Sequence, residues 1–241
     1  TYAIEGSLAL TTTSGPGLAL KGEAIGLAMM TELPLVIINV QRGGPSTGLP
    51  TKTEQSDLLQ AVYGRNGESP VIVLAASTPS NCFDFAYMAA KLAVEHMTPV
   101  ILLTDGFIAN GAEPWKIKSV EDMADINPAL VSEGAEDWNP YTRSEDKLNR
   151  SWAIPGTKGL EHRIGGLEKQ AITGHVSYDP NNHEEMVKVR AEKVARVANF
   201  IPELEFDGDE NADLLVVGWG GTYGGLHTAV NEMRAEGKSI A

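Results

Sequence analysis

Cysteine is almost absent. The single thiol, Cys82, excludes an internal disulfide and points to a reducing, cytoplasmic setting. It also excludes an iron–sulfur cluster held by this chain alone, which needs about four thiolates. Cys82 stands at the start of a largely apolar helix candidate and reads as a core residue. Long apolar runs are missing too. Stretches such as residues 71–76 fall far short of the ~20 residues a spanning helix needs, so no membrane segment is expected. Residues 1–30 lack the basic start and apolar middle of a signal peptide. Positive charge is scarce: 19 Lys and Arg against 32 Asp and Glu leave a formal charge of −13. No cluster of Lys and Arg exists to grip phosphates, so nucleic acid is not an expected partner. The acidity reads as a solubility surface. No internal repeat or low-complexity tract appears.

What the chain does have is 241 residues with 42% hydrophobic content, enough for one large α/β domain or one domain and part of a second. Apolar, β-branched runs at 8–12, 35–40, 71–76, 100–105 and 214–219 read as strands. Most are continuously apolar, as strands covered on both faces are. Helix candidates fall at 18–32, 53–63, 81–96, 183–199 and 225–235. Asn182 with Glu185 has capping-box spacing, and Asn81 with Asp84 is a weaker start signal. This alternation predicts an α/β fold with a mostly parallel sheet flanked by helices.

Two regions interrupt the pattern. Residues 106–182 are loop-rich, a length of connection that usually carries function or marks an insertion. Paired glycines at 156–159 and 165–166 suggest a hairpin there. Residues 200–213 read as a linker, and 214–241 as the opening of a second α/β domain. Thr1 has no strand lead-in, and one βα unit cannot bury its own faces. The expectation is therefore a longer parent chain, with residues 1–199 an N-terminally incomplete first domain.

Two loops at the expected carboxyl edge of the sheet carry candidate chemistry. The first is Thr13-Ser14-Gly15-Pro16-Gly17, between a strand and a helix. Glycines there allow close backbone approach, and the proline stiffens the turn. The same pattern also suits a tight turn with no ligand. The second begins at Arg42 and runs through Gly43-Gly44-Pro45-Ser46-Thr47-Gly48 to Thr51 and Thr53. A guanidinium at a strand end can hold a carboxylate through two hydrogen bonds. The plain alternative is a surface arginine beside a routine turn.

These residues carry a resemblance. Ser-Gly-Pro-Gly after a strand resembles the pyrimidine-binding domain of thiamine-diphosphate enzymes. The run QRGGPSTGLPTKTEQSDLLQ is similar to the α subunit of 2-oxoacid:ferredoxin (or other acceptor) oxidoreductases, with the 2-oxoglutarate branch fitting best. DGFIANGAEPW, WAIPGTKGLEHRIGGLEK and HEEMVKVRAEKVARVA extend it over nearly the whole chain. The segment after 213 looks like the start of a transketolase-C-terminal-like domain. The resemblance implies that Arg42 binds the 2-oxoacid carboxylate and that Thr51 lies near the substrate. It implies that Thr13, Ser14, Gly15 and Pro16 line the thiamine diphosphate. Residues 165–169 resemble a hairpin that approaches the site and influences substrate choice. His162 and Arg163 lie beside it, though a lone loop histidine is more often structural.

The implied activity is oxidative decarboxylation of a 2-oxoacid to an acyl-coenzyme A, CO₂ and electrons for ferredoxin or a similar acceptor. The cofactor would be shared with a β subunit that carries the diphosphate domain, with Mg²⁺ and iron–sulfur clusters on other chains. This chain alone is not expected to turn over. The sequence departs from the family in three places. The family's ylide-forming glutamate and its Tyr-Pro-Ile-Thr-Pro motif would both lie before Thr1, and Glu5 is too close to the strand to serve. Asp207-Gly208-Asp209 has the wrong order for the Mg²⁺ motif. Two alternatives therefore stay open: a non-oxidative thiamine enzyme, and a non-catalytic binding or assembly module that keeps the fold.

Overall fold

A computed structural model describes residues 3–241. The start at Thr1 discussed above lies outside the described residues. Four parallel strands form the sheet: β1 (Ala9–Thr13), β2 (Leu35–Gln41), β3 (Ile72–Ala75) and β4 (Pro99–Asp105). Their spatial order is β1-β2-β4-β3. The helices are α1 (Gly15–Leu20), α2 (Gly22–Thr31), α3 (Leu58–Tyr63), α4 (Asn81–His96), α5 (Gly106–Asn110), α6 (Pro180–Ala195) and α7 (Tyr223–Ala235).

The continuous apolar runs are explained by the two faces. Every residue of β4 is buried. Odd and even positions point to opposite sides. Leu18, Ile25, Ile37, Ala61, Ile101 and Leu103 pack on one face, against α1 to α3. Val36, Ala89, Leu92, Ala93, Val100 and Val197 pack on the other, against α4 and the turn that follows α6. At about 1.5–3 kcal/mol for each fully buried large aliphatic, these two layers dominate the fold's stability. β1 is an edge strand, and its alternation shows: Leu10 is half exposed.

Several expected boundaries moved. The helix expected at 18–32 begins at Gly15 and breaks at Lys21, which ends α1 and starts α2. The helix expected at 53–63 begins only at Leu58. α6 starts at Pro180, capped by Asp179, whose carboxylate accepts from Asn181 N at 2.8 Å. Asn182 is thus no cap; it holds Ala171 N and Lys169 O instead. Asn81 likewise braces the loop before α4, accepting from Ser77 N and Thr78 N. Among the described residues, 214–219 forms no extended strand. Leu214 and Val216 pair in parallel only with residues 239–241 around α7. The paired stretches in the long loop are Leu130 with Trp152 in parallel, and Arg143 with Arg150 and Lys169 with Val176 antiparallel, not 156–166.

The loop-rich region is anchored at the amino end of the sheet. Glu32 closes α2 in the left-handed region at φ 50° and is buried. Such a backbone costs a non-glycine residue roughly 1–2 kcal/mol. Here the reversal turns the Glu32 carboxylate inward, where Arg143 and Lys193 take its two oxygens. Arg150, fully buried, donates to the Glu32 carbonyl at 3.2 Å. Burial alone would raise the Glu32 carboxyl, but Lys193, Arg143 and Arg150 outweigh it and hold it down to about 2. Trp152 adds an apolar anchor, its indole N–H donating to Ala3 O at 3.1 Å.

Candidate functional site

All four strands point the same way, so their carboxyl ends form one rim. β1 and β2 are neighbours, and Thr13 lies opposite Asn39. The Thr13–Gly17 turn and the loop that begins at Arg42 therefore rise from adjacent strands. The ground between them is polar. Asn39 Nδ2 donates to Asp57 Oδ2 at 2.9 Å, and Asp57 N donates to Gln41 Oε1 at 3.1 Å. Gln41 Nε2 reaches across to Thr104 O at 3.1 Å, tying β2 to β4. Asn39 and Gln41 are fully buried, and Asp57 nearly so.

The first turn is shaped by close approach. A Cβ on Gly15 would stand 2.7 Å from Asp57 Oδ2, so the carboxylate lies flush against this backbone. A Cβ on Gly17 would overlap Thr13 Oγ1. Only glycine is tolerated at either position without a shift. Gln60 Nε2 holds Gly15 O from α3 at 3.3 Å. Ser14 caps α1 without a side-chain bond, and Pro16 occupies the first turn.

The second loop is closed on itself. Gly43 N donates to Lys52 O, and Leu49 N to Gly43 O, both at 2.8 Å. Arg42 follows β2 directly and is half-buried; its Nη1 donates to Thr47 O at 2.8 Å. Thr47 thereby steers the guanidinium along the loop. Thr51 is exposed at the loop's return.

Two further features share the rim. Asp105 ends β4, and its Oδ1 accepts from Phe107 N and Ile108 N at 2.7 and 3.1 Å, capping α5. Its Oδ2 accepts from Gly221 N at 3.2 Å, while Gln55 Nε2 donates to Trp219 O at 3.0 Å. Residues 219–221 are thus seated over the sheet's carboxyl edge. Asn39, Gln41, Gln55, Asp57 and Asp105 were missed as candidates. The signal available was polar side chains in otherwise apolar strands, Asn39 and Gln41 above all.

The structure does not bring residues 165–169 to this rim. Lys169 is buried against the end of α2, its Nζ donating to Met30 O at 2.6 Å, and burial first of all pushes the amine down to about 8. That is the amino end of the sheet. His162 likewise bonds Leu160 O at 2.8 Å and meets Trp138 edge-on, so it is packed inside the loop region. Cys82 is half-buried among Leu102, Ile108 and Phe85, and burial raises its thiol, aided by Asp105 and Glu113.

Hydroxyls, amides and backbone at one rim, beside a single arginine, define a parallel α/β domain suited to a polar, partly anionic small molecule. Among the described residues no group of three or more His, Cys, Asp or Glu is placed to hold a metal. Related proteins sharpen the class. Residues 3–178 match the model of the pyruvate flavodoxin/ferredoxin oxidoreductase thiamine-diphosphate-binding family, and the chain belongs to that family. It is 53% identical over 240 residues to the 2-oxoglutarate oxidoreductase subunit KorA of Mycobacterium tuberculosis, covering 99% of this chain and 36% of that one. It is 35% identical to the 2-oxoglutarate synthase subunit KorA of Methanothermobacter thermautotrophicus, covering 95% of this chain and 60% of that one. The 2-oxoglutarate:ferredoxin oxidoreductase from Magnetococcus marinus, solved with 2-oxoglutarate, coenzyme A and succinyl-CoA bound, matches with a TM-score of 0.87 at 38% identity, over 99% of this chain and 41% of that one. The chain therefore spans roughly a third to three-fifths of these relatives.

Proposed function

We propose that this chain supplies the pyrimidine-side, substrate-binding part of a thiamine-diphosphate-dependent 2-oxoglutarate:ferredoxin oxidoreductase. The observation that carries it is the shared rim: Arg42 and the Thr13–Gly17 turn rise from neighbouring strands over polar ground. The donor set suits the cofactor's aminopyrimidine. Thr13 and Ser14 offer hydroxyls, and Gly15 and Pro16 present a fixed backbone edge. Asn39 Oδ1, buried and without a hydrogen-bond partner among the described residues, is a further acceptor at that edge. The bound cofactor would supply the nucleophilic carbon and the electron sink for decarboxylation.

This chain's own part is placement. Arg42 would offset the charge of the substrate carboxylate and orient its carbonyl. Thr51 would offer a hydroxyl from the same loop. The diphosphate, its Mg²⁺ and the iron–sulfur clusters would belong to other chains, the diphosphate to a β subunit. Coenzyme A and ferredoxin, or a like acceptor, would complete the reaction. We take residues 200–213 as a linker and 214–241 as the opening of a second α/β domain, in keeping with the parallel pairing of Leu214 and Ile240 around α7. No helix among the described residues is long and apolar enough to cross a membrane, and the lone cysteine suits a reducing cytoplasm.

The test is turnover by the assembled complex. Adding 2-oxoglutarate and coenzyme A should release CO₂ and reduce a viologen dye together. CO₂ without reduced dye would mean a non-oxidative enzyme, and neither product would mean an assembly module. The chain alone should bind thiamine diphosphate weakly or not at all; tight calorimetric binding would overturn the shared site.

A further inference from the structure

The return limb of the Arg42 loop is held from outside at one residue. Residues 50–54 and Ser56 are exposed, while Gln55 between them is half-buried. Gly44 N donates to Glu54 Oε2 at 2.9 Å, and Gly43 N to Lys52 O at 2.8 Å. These bonds tie the limb to the residues just after Arg42, but not to the body of the fold. Among the described residues, Gln55 makes the one hydrogen bond that joins residues 50–56 to a distant part of the chain. Its Nε2 donates to Trp219 O at 3.0 Å.

The other half of this seat is shaped to receive it. Trp219 O also accepts from Thr222 Oγ1 at 2.7 Å, so the carbonyl is held from two sides. The Trp219 side chain packs against the cluster of Leu18, Ile25, Ile37 and Ile101 beneath α1 to α3. Gly220 is buried, with its φ of 64° in the left-handed region. A Cβ there would stand 2.1 Å from Gln55 Nε2, and one on Gly221 would stand 2.2 Å from Asp105 Oδ2. Contacts this close admit glycine alone. Among the described residues, the bonds from Gln55 to Trp219 and from Gly221 to Asp105 are the two hydrogen bonds that join residues 207–241 to the sheet and its helices.

We propose that Gln55 is a positioning residue for the substrate. Seated on the 219–221 turn, it fixes the limb that presents Thr51 and closes the loop on Arg42. The Arg42 guanidinium follows the loop, since its Nη1 donates to Thr47 O, and the loop's return follows Gln55. Gln55 acts through this backbone and not by touching the substrate. The seat needs a donor at its end: an ionised glutamate would set a carboxylate against Trp219 O, and a leucine would offer nothing. The inference rests on the reading of Arg42 as the group that receives the 2-oxoacid carboxylate.

Gln55→Glu and Gly220→Ala, each in the assembled complex, test it by two readouts. Amide hydrogen exchange in residues 43–53, read without substrate, should quicken at least about threefold in either variant, as the loss of one neutral hydrogen bond requires. The KM for 2-oxoglutarate should rise about threefold to tenfold, and by more than kcat falls. Should Gly220→Ala not fold, Gln55→Glu and Gln55→Leu decide. Unchanged exchange overturns the seat. Faster exchange with an unchanged KM, as a merely structural contact would give, overturns the positioning role. A wild-type complex that does not turn over 2-oxoglutarate defeats the proposed reaction and this role with it; that failure is told apart from failure of the seat because the exchange is read without substrate.

Discussion

The two ends of this sheet are finished in opposite ways. At the amino end, Glu32 and its cations are buried and mutually engaged, joining segments more than a hundred residues apart. At the carboxyl end, amides and a carboxylate hold two loops in place while Arg42, Thr13 and Ser14 stay half-open. The first arrangement spends its charge on holding the chain together. The second keeps charge and hydroxyls available. The same strands therefore carry a fastening at one end and a receptive edge at the other.

The largest effect should come from the fastening. Glu32→Gln leaves Arg143 and Lys193 buried without their counter-ion and should cost about 3–5 kcal/mol in urea unfolding. A loss below about 1 kcal/mol would show the cations to be solvated. A related expectation concerns acid. Glu32 titrates near 2 in the folded chain against an ordinary 4.5. Its folded value is depressed, so its stabilisation is complete above about 4.5 and disappears as the pH falls towards 2. That is worth about 3 kcal/mol by linkage. Stability measured from pH 5 to 2 should fall steeply in the wild type and less steeply in Glu32→Gln.

At the other end, Arg42→Ala in the assembled complex should raise the 2-oxoacid KM tenfold or more, from a lost charged hydrogen bond of about 1.5–3 kcal/mol. Its melting temperature should not change; equal loss of both would make Arg42 a structural residue. Gly15→Ala forces a methyl against Asp57 and should cost about 1–3 kcal/mol by overpacking, with weaker thiamine diphosphate binding by the complex. Smallest of all, His162→Gln should cost about 1 kcal/mol and leave KM untouched. A shifted KM would return the neighbouring hairpin to the site.

The central strands were readable because burial on both faces leaves an uninterrupted apolar run, as in 35–40 and 100–105. The two rim loops were readable because glycine, proline and arginine cluster locally. What escaped was whatever depends on distant partners. Asp57 matters through Asn39 and Gly15, which no spacing rule connects to it. Glu32 reads as an ordinary helix-ending acid until residues 143, 150 and 193 arrive beside it. The cap of α6 was misplaced for a related reason: Asn182 serves the 169–171 turn, and Asp179 was hidden before a proline. Residues 214–219 have a strand's composition, but composition does not provide the ladder of neighbours a strand requires.

Asp105 divides its two oxygens between α5 and Gly221. Removing the Gly221 N–H would strip one oxygen of its donor and bare a negative charge at the carboxyl rim of the sheet. The seating of the downstream segment and the local potential are therefore linked through one backbone N–H: while Gly221 donates, that carboxylate oxygen is partly offset at the rim proposed to receive the acid.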